Sequence, residues 1–560
     1  MPSKSARRPH QGQSLPSLDN SRWWCVIVLA VVIVLFAAIR FRLRTMPLER
    51  DEGEYAYAGQ LFLQGIVPYK LAYNMKLPGT YAAYAFIMAI FGQSPSGIHL
   101  GTILVNAATV VLIFLLARRL FDSTAALTSA CTFAVLSNSE AVLGFAGHAT
   151  QFVVLVSLGG LLILLKALSA KRTSLYFFAG FLLGTAFVCK QPGIVFTIFG
   201  AVYLAFAERN ELKTWAGIRH LSSYCAGAIS PFILTCMVML LGGELGRMCF
   251  WTFSYARQYA AVTRLREGWE NLFVLGSSAV EVAPWLWILT ALGIVALAWD
   301  SHLWKHAFFL LGLLMASLSG LCAGLYFRPH YLVLLLPIAS LLAGLAISSA
   351  QQELRRLLNN AAATLIPATV FAIIVGVSIA AQADTLFRLD PTAVCREAYD
   401  KSPFPEAEVV SAYLNRQAGP EARIAVLGSE PEIYFYSRRH SATGYIYVYP
   451  LVEPQPYAET MQHEMVNEIE TNRPEYIVLV KVTTSWQAHP GSSRFILDWS
   501  KNYLATNYRI VGVADEISPT ETRYVWEEAA KTYTEKSDAV IEIFRRTSAT
   551  TLTPVAGASP

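Results

Sequence analysis

Long apolar stretches alternate with short polar ones over the first two thirds of this chain, and the pattern stops near residue 385. A helix that crosses a bilayer needs about 20 mostly apolar residues, within a range of about 17 to 25. Eleven runs approach that length: 23–39, 98–117, 123–137, 149–168, 174–189, 192–207, 221–241, 280–298, 306–325, 331–349 and 361–381. They predict a polytopic α-helical membrane protein with about 11 spans. The runs at 123–137 and 174–189 are short and read as tilted or incomplete. Residues 79–91 are apolar too, but their length suits an interfacial or re-entrant helix. Beyond 385 the segments RIAVLG (423–428), EYIVLV (475–480), YRIVGVA (508–514) and VIEIFRR (540–546) alternate with helix-like stretches at 457–472 and 493–506. Such alternation predicts a small α/β domain. The expected division is 1–22, a disordered N-terminal stretch; 23–384, a membrane domain; 385–546, an α/β domain; and 547–560, a disordered tail.

Composition agrees with the membrane reading. Charged residues make up 15% of the chain, against about 25% in soluble domains, and the mean hydropathy is +0.42. The net charge of +5 over 560 residues gives no reason to expect nucleic acid. The eight cysteines show no CxxC pair, so neither a disulfide framework nor a zinc motif is indicated. Lys and Arg concentrate in alternate loops, at Arg118/Arg119, Lys166–Arg172, Arg209–Arg219, Lys305 and Arg355/Arg356. With Lys4, Arg7 and Arg8 these mark a cytoplasmic side. The opposite face receives 40–97, 138–148, 190–191, 242–279 and 326–330, and an odd span count puts the α/β domain there as well. The first run is followed by Arg40, Arg42 and Arg44 rather than a small-residue cleavage site, so it reads as a retained span. These arginines break the positive-inside trend, and an anionic lipid headgroup is one explanation for them.

The polar residues at that outer face carry the candidate chemistry. RDEGEYAYAGQLFLQG (50–65) sets Asp51, Glu52 and Glu54 beside the membrane. Asp51 reads as a helix N-cap with Glu54 closing a capping box, and equally as a general base held at a helix start. Tyr55, Ala58, Gly59 and Phe62 share one face, as on an interfacial amphipathic helix. Lys76 in YNMKLPG is either a snorkelling anchor or a cation paired with a phosphate or with Asp51. Glu140 and His148 lie between two spans on the same face. Each reads as an ordinary loop residue or as a ligand for an acceptor or a metal. Lys190 in CKQPG, with Arg328 and His330 in YFRPHYLVLLLP, adds basic groups at span ends. Arginine suits phosphate through its planar fork.

DEGEYAYAGQLFLQGIVPY, YNMKLPGTY, the acid after the third span, KQPG and FRPHYLVLLLP together resemble the polyprenyl-phosphate-sugar-dependent glycosyltransferases of the GT-C fold. The bacterial branch of the protein-mannosyltransferase superfamily is the nearest likeness. That branch includes lipid A aminoarabinose transferases and lipopolysaccharide galacturonosyltransferases. The resemblance covers 23 to about 350 and reaches the tail only loosely. It implies a GT-C-like membrane domain with an extracytoplasmic C-terminal domain in the cell (inner) membrane. It implies transfer of a sugar from a polyprenyl-phosphate donor to an envelope acceptor: lipid A, a polysaccharide, a glycolipid or a protein. Asp51 then matches the catalytic acid of the first loop, with Glu52 beside it. Lys76, Arg328 and Lys190 take the donor phosphate, and Glu140, Tyr55 and His330 take the acceptor. Met75 stands where relatives carry an acid, so no metal site and no cofactor is expected; a divalent ion on Asp51, Glu52, Glu140 and His148 is the alternative.

A transporter or flippase of a lipid-linked or anionic substrate is the competing class. It calls for ionisable groups inside spans or broken helices in related halves. Glu281 is the one residue that favours it. A non-catalytic scaffold fits if the acids are only caps.

Overall fold

The computed structural model describes residues 20–547. The two terminal stretches read as disordered lie outside the described residues, except at their inner edges. Helix α1 (Asn20–Arg42) leads into α2 (Arg50–Leu63) and α3 (Gly79–Phe91). There follow α4 (Pro95–Leu120), α5 (Ser123–Leu136), α6 (Ala149–Ala170), α7 (Thr173–Cys189), α8 (Ile194–Ala207) and α9 (Trp215–Leu241). Short α10 (Leu245–Cys249) and α11 (Ala256–Val262) flank a wider turn at Phe250–Tyr255. The bundle closes with α12 (Leu265–Val282), α13 (Pro284–Trp299), α14 (Trp304–Leu321), α15 (Leu336–Leu357) and α16 (Asn360–Ala380).

Each of the eleven apolar runs is helical. Six helices among the described residues are individually long and apolar enough to cross a membrane, or seven if α12 and α13 count as one broken span. Those two meet at 106°. The break falls at Ala283, because Pro284 opens the next helix at a position that needs no amide donor. Glu281 sits exposed near the end of α12, two residues before this break. Helices α7 and α9 approach closely through glycine. A Cβ on Gly180 or Gly184 would meet the α9 backbone at Tyr224 or Ala228 within 2.1 Å, and one on Gly227 would meet Phe177 O at 2.0 Å. Small residues four apart bring helix backbones together in this way. Helix α15 is buried along Leu336–Ser348 and packs against α5 and α13.

After α16 come α17 (Pro391–Tyr399), α18 (Phe404–Gln417), α19 (Glu432–Ser437), α20 (Tyr449–Val452), α21 (Ala458–Asn472), α22 (Thr483–Trp486) and α23 (Phe495–Asn507). They surround a six-stranded sheet of β1 (Arg423–Leu427), β2 (His440–Ser441), β3 (Tyr476–Lys481), β4 (Tyr508–Ser518), β5 (Glu521–Trp526) and β6 (Val540–Arg546). The order is β2-β1-β3-β6-β4-β5. β1 runs parallel to β2 and β3, and the remaining pairs are antiparallel. The four β-rich segments are β1, β3, β4 and β6. β2 is only two residues long, and β5 is the second arm of a hairpin whose charged start hides it.

This sheet domain docks on the membrane domain through α2. A Cβ on Gly53 would lie 2.6 Å from Glu432 Cβ, and the rings of Tyr57 and Tyr434 are 5.2 Å apart. On its other side α2 packs on α3, with Gly59 against Met88 and Ala85. Helix α2 is thus buried from Glu52 to Leu61. The expected amphipathic interfacial helix is corrected to one enclosed on both faces.

Candidate active site

Helix α2 is capped by Glu49, not by Asp51. The Glu49 side chain accepts from the Glu52 amide at 2.9 Å, which satisfies one of the free donors of the first turn. Released from capping, Asp51 turns into a cavity of about 530 Å³ between the membrane helices and the sheet domain. Lys76 Nζ donates to Asp51 Oδ1 at 2.8 Å and to Glu54 Oε2 at 2.6 Å. Tyr81 donates its hydroxyl to the other Glu54 oxygen. Burial alone would raise the Asp51 carboxyl, but the charge of Lys76 opposes it, and the carboxyl lies well below the usual carboxylate range. Lys76 was expected to take a donor phosphate. In the structure its charge is shared by Asp51 and Glu54 while its side chain lines the cavity.

Two other cations in the cavity are free. Lys190 Nζ lies over the Tyr331 ring at 4.1 Å, and the Arg328 guanidinium lies 5.6 Å from the Tyr326 ring. Neither has a carboxylate within 4.0 Å among the described residues. Burial pushes the Lys190 ammonium down to about 7.

His148 and His330 complete the floor, stacked at 4.2 Å and 12°. His330 Nε2 is 3.9 Å from Asp51 Oδ2, and His148 Nδ1 is 3.6 Å from Glu49 Oε1. Neither ring nitrogen of His148 has a hydrogen-bond partner among the described residues. Burial brings His148 down to about 4, so its ring is neutral at pH 7, the form that ligates metals. Asp51, His148 and His330 each place a donor atom within 4.8 Å of the others, and they fit a divalent cation. The expected grouping of Asp51 and His148 with Glu52 and Glu140 does not form. A second trio, Glu208, Glu211 and His220, is already neutralised by Lys171, 2.9 Å from Glu208 and 2.8 Å from Glu211.

Glu52 and Glu140 do not line the cavity. Glu52 is fully buried, and its Oε1 accepts from the Gly147 amide at 2.6 Å, with His99 Nε2 at 3.2 Å. It anchors the loop that carries His148. Arg40 grips the same loop, donating to Asn138 Oδ1 at 2.7 Å, Ser137 O at 3.0 Å and Gly144 O at 2.6 Å. Arg42 donates to the carbonyls of Thr385, Leu386 and Leu389. Backbone carbonyls, not lipid headgroups, account for these two arginines. Glu140 accepts from Thr385 Oγ1 at 3.3 Å, away from the cavity. Tyr55 is buried under Lys76, its ring centroid 4.7 Å from Nζ. Neither Glu140 nor Tyr55 lines the cavity, whereas His330 does.

The sheet domain supplies the roof, which the sequence reading missed. Arg50 locks it down, donating to Ser429 O at 2.5 Å and Glu430 Oε1 at 2.9 Å. Tyr447 donates to Arg50 O at 2.9 Å and lies 3.3 Å from Asp51 Oδ1. Tyr449 and Glu453 line the cavity beside it. No spacing in the sequence links these residues to Asp51; only the docked fold does.

A many-helix membrane bundle, with its polar cavity at one end and a mixed sheet domain as roof, has the GT-C fold. The undecaprenyl-phosphate-bound structure of ArnT from Cupriavidus metallidurans superposes with a TM-score of 0.58 at 14% identity, over 96% of this chain and 100% of that one. The oligosaccharyltransferase AglB from Archaeoglobus fulgidus, solved with an inhibitory peptide and a dolichol-phosphate, gives 0.51 at 13% identity over 91% and 75%. Residues 76–235 match the dolichyl-phosphate-mannose-protein mannosyltransferase family. The undecaprenyl phosphate-alpha-4-amino-4-deoxy-L-arabinose arabinosyl transferase of Pseudomonas aeruginosa (strain LESB58) is 27% identical over 45% of each chain. Its counterpart in Pseudomonas paraeruginosa is 28% identical over 51% of this chain and 50% of that one. The matched region spans about half the length of these curated relatives.

Proposed function

We propose that this protein is an integral membrane glycosyltransferase that moves a sugar from a polyprenyl-phosphate donor to an envelope acceptor. One observation carries the reading: an ionised, lysine-held carboxylate and two unpaired cations share one cavity at an end of a membrane bundle. The acceptor hydroxyl gives its proton to Asp51 as its oxygen bonds to the anomeric carbon. The bond from that carbon to the phosphate oxygen breaks with inversion, and the lipid phosphate leaves with the electron pair. Lys190 and Arg328 stabilise the charge that develops on the leaving oxygen. Lys76 keeps Asp51 ionised and oriented before the reaction. The donor carries its own leaving group, so the proposal needs no cofactor, and the cations present supply the electrostatic stabilisation without a metal. The cavity and the sheet domain face the extracytoplasmic side of the inner membrane in this reading, where lipid-linked sugars meet envelope acceptors.

The test is a binding and transfer assay on the purified full chain. Undecaprenyl phosphate should bind the wild type and bind Arg328→Ala about ten- to a hundredfold more weakly. No binding to the wild type, or equal binding to both, would reject the donor assignment.

A further inference from the structure

Three carboxylates line the cavity: Glu49 caps α2, Asp51 serves the proposed transfer, and Glu453 is left unused by it. Glu453 follows α20 in the sheet domain, is half-buried and lines the cavity. Tyr255, from the turn between α10 and α11, donates its hydroxyl to Glu453 Oε2 at 2.6 Å. Tyr255 is itself 2% exposed and wedged against Trp251, with ring centroids 5.0 Å apart. The carboxylate is therefore held from the membrane domain while its backbone belongs to the roof. Oε1 has no hydrogen-bond donor among the described residues, and Glu453 is one of the residues that line the cavity. Burial raises the Glu453 carboxyl, while the Tyr255 hydroxyl and the Arg328 charge pull it back. Asp51 and Glu453 both act on Arg328. Arg328 thus shares its cavity with two carboxylates of different provenance: Asp51 from α2 and Glu453 from the sheet domain.

Resting on the proposed function, we infer that Glu453 is a specificity-determining residue: its Oε1 accepts a hydrogen bond from a hydroxyl or ammonium substituent of the sugar to be transferred. The sheet domain then takes part in reading the donor. The contact lies on the sugar and not on the lipid phosphate, so it is visible as a difference between sugar-bearing and bare lipid.

The experiment compares three probes on the full-length protein in nanodiscs: undecaprenyl phosphate, undecaprenyl phosphate bearing 4-amino-4-deoxy-L-arabinose, and undecaprenyl phosphate bearing mannose. The readout is the ratio of bare-lipid Kd to sugar-lipid Kd, which cancels any general loss of affinity. The wild type should show a ratio of about ten or more for at least one sugar. In Glu453→Gln the Tyr255 hydroxyl takes the one amide oxygen, which turns the NH2 group, a donor, to the sugar, and this should bring that ratio to within about threefold of one. Glu453→Asp should recover part of it. Preference for the amino sugar that is lost in Glu453→Gln assigns an ammonium; equal preference for both sugars assigns a hydroxyl. A wild type without preference, or a Glu453→Gln variant that keeps it, overturns the inference. Should Glu453→Gln fail to fold, Tyr255→Phe answers instead: it keeps the carboxylate but removes its holder, so the ratio should fall, and an unchanged ratio overturns the inference. Failure of the underlying function looks different, because bare undecaprenyl phosphate then does not bind or binds Arg328→Ala as well as wild type.

Discussion

Asp51→Asn separates a catalytic carboxylate from a structural one. In the wild type Asp51 shares Lys76 with Glu54, at 2.8 and 2.6 Å. Stranding a buried charge by removing its partner costs about 3–5 kcal/mol. Here Lys76 keeps Glu54, and the Asn carbonyl still accepts a hydrogen bond, so about 1–2 kcal/mol of stability is the expected loss. If Asp51 served only the positive end of α2, the loss would be about 0.3–1 kcal/mol with the rate untouched. Removing a general base costs about 10² to 10⁴ in rate, or about 2.7–5.4 kcal/mol in the barrier. The two effects are distinct in size and appear in different assays. Thermal unfolding should shift by a few degrees, undecaprenyl phosphate should still bind, and sugar release from a polyprenyl-phosphate donor should fall at least a hundredfold. Transfer within threefold of wild type would refute the base assignment. So would a variant whose transfer loss is matched by loss of folded protein.

Arg328→Lys should recover only part of the donor affinity lost in Arg328→Ala, because an ammonium lacks the two-pronged fork; equal recovery in a lipid-binding titration would count against bidentate contact. Lys190 is charged below its pKa of about 7 and neutral above it, so affinity for undecaprenyl phosphate should weaken as pH rises from 7 to 9, and Lys190→Arg should flatten that profile; an unchanged slope would show that Lys190 does not face the phosphate. Arg40→Met leaves Asn138 Oδ1 and Ser137 O without their donor, while Gly144 O keeps Gln151 Nε2 at 3.2 Å, and should cost about 2 kcal/mol or more in thermal or denaturant unfolding; near-wild-type stability would contradict the clamp. Transfer should survive strong chelation followed by repurification, and abolition with recovery on Mg²⁺, Mn²⁺ or Zn²⁺ would make Asp51, His148 and His330 metal ligands.

The helices of the membrane domain were legible because lipid imposes a one-dimensional rule on sequence. Even the short runs at 123–137 and 174–189 are the helices α5 and α7. Helix α12 escaped because Arg266, Glu267 and Glu270 interrupt its apolar stripe, and the run assigned to 280–298 started too early for want of weight on Pro284. Helix α2 was located but misplaced. Its Tyr55–Phe62 face is the one against α3, yet its polar positions looked solvated because their partners are remote in sequence: Glu52 meets Gly147, and Gly53 abuts Glu432. Asp51, Lys76, Lys190, Arg328 and His330 were found as span-end polar groups and do meet at one cavity. Tyr447, Tyr449 and Glu453 carry no local mark, since an acid or tyrosine in a soluble domain is ordinary until a second domain is packed over it.

The surplus of cations at one end of the bundle was the sequence's loudest signal, and the structure divides it by what each cation already holds. Arg40 and Arg42 are engaged by backbone carbonyls, and Arg50 and Lys76 by carboxylates. Diverting any of these to a phosphate would leave a buried acceptor unpaired, at about 1–3 kcal/mol per group and more for a charged one. Lys190 and Arg328 rest on tyrosine rings instead. A cation over an exposed ring gains about 0.5–1 kcal/mol, and about 2 or more once desolvated, which is less than a charge-assisted bond to phosphate at about 1.5–3 kcal/mol. These two can turn to an anion while every other cation stays in place. The proposed phosphate site is thus defined less by where positive charge lies than by which of it has nothing better to bind.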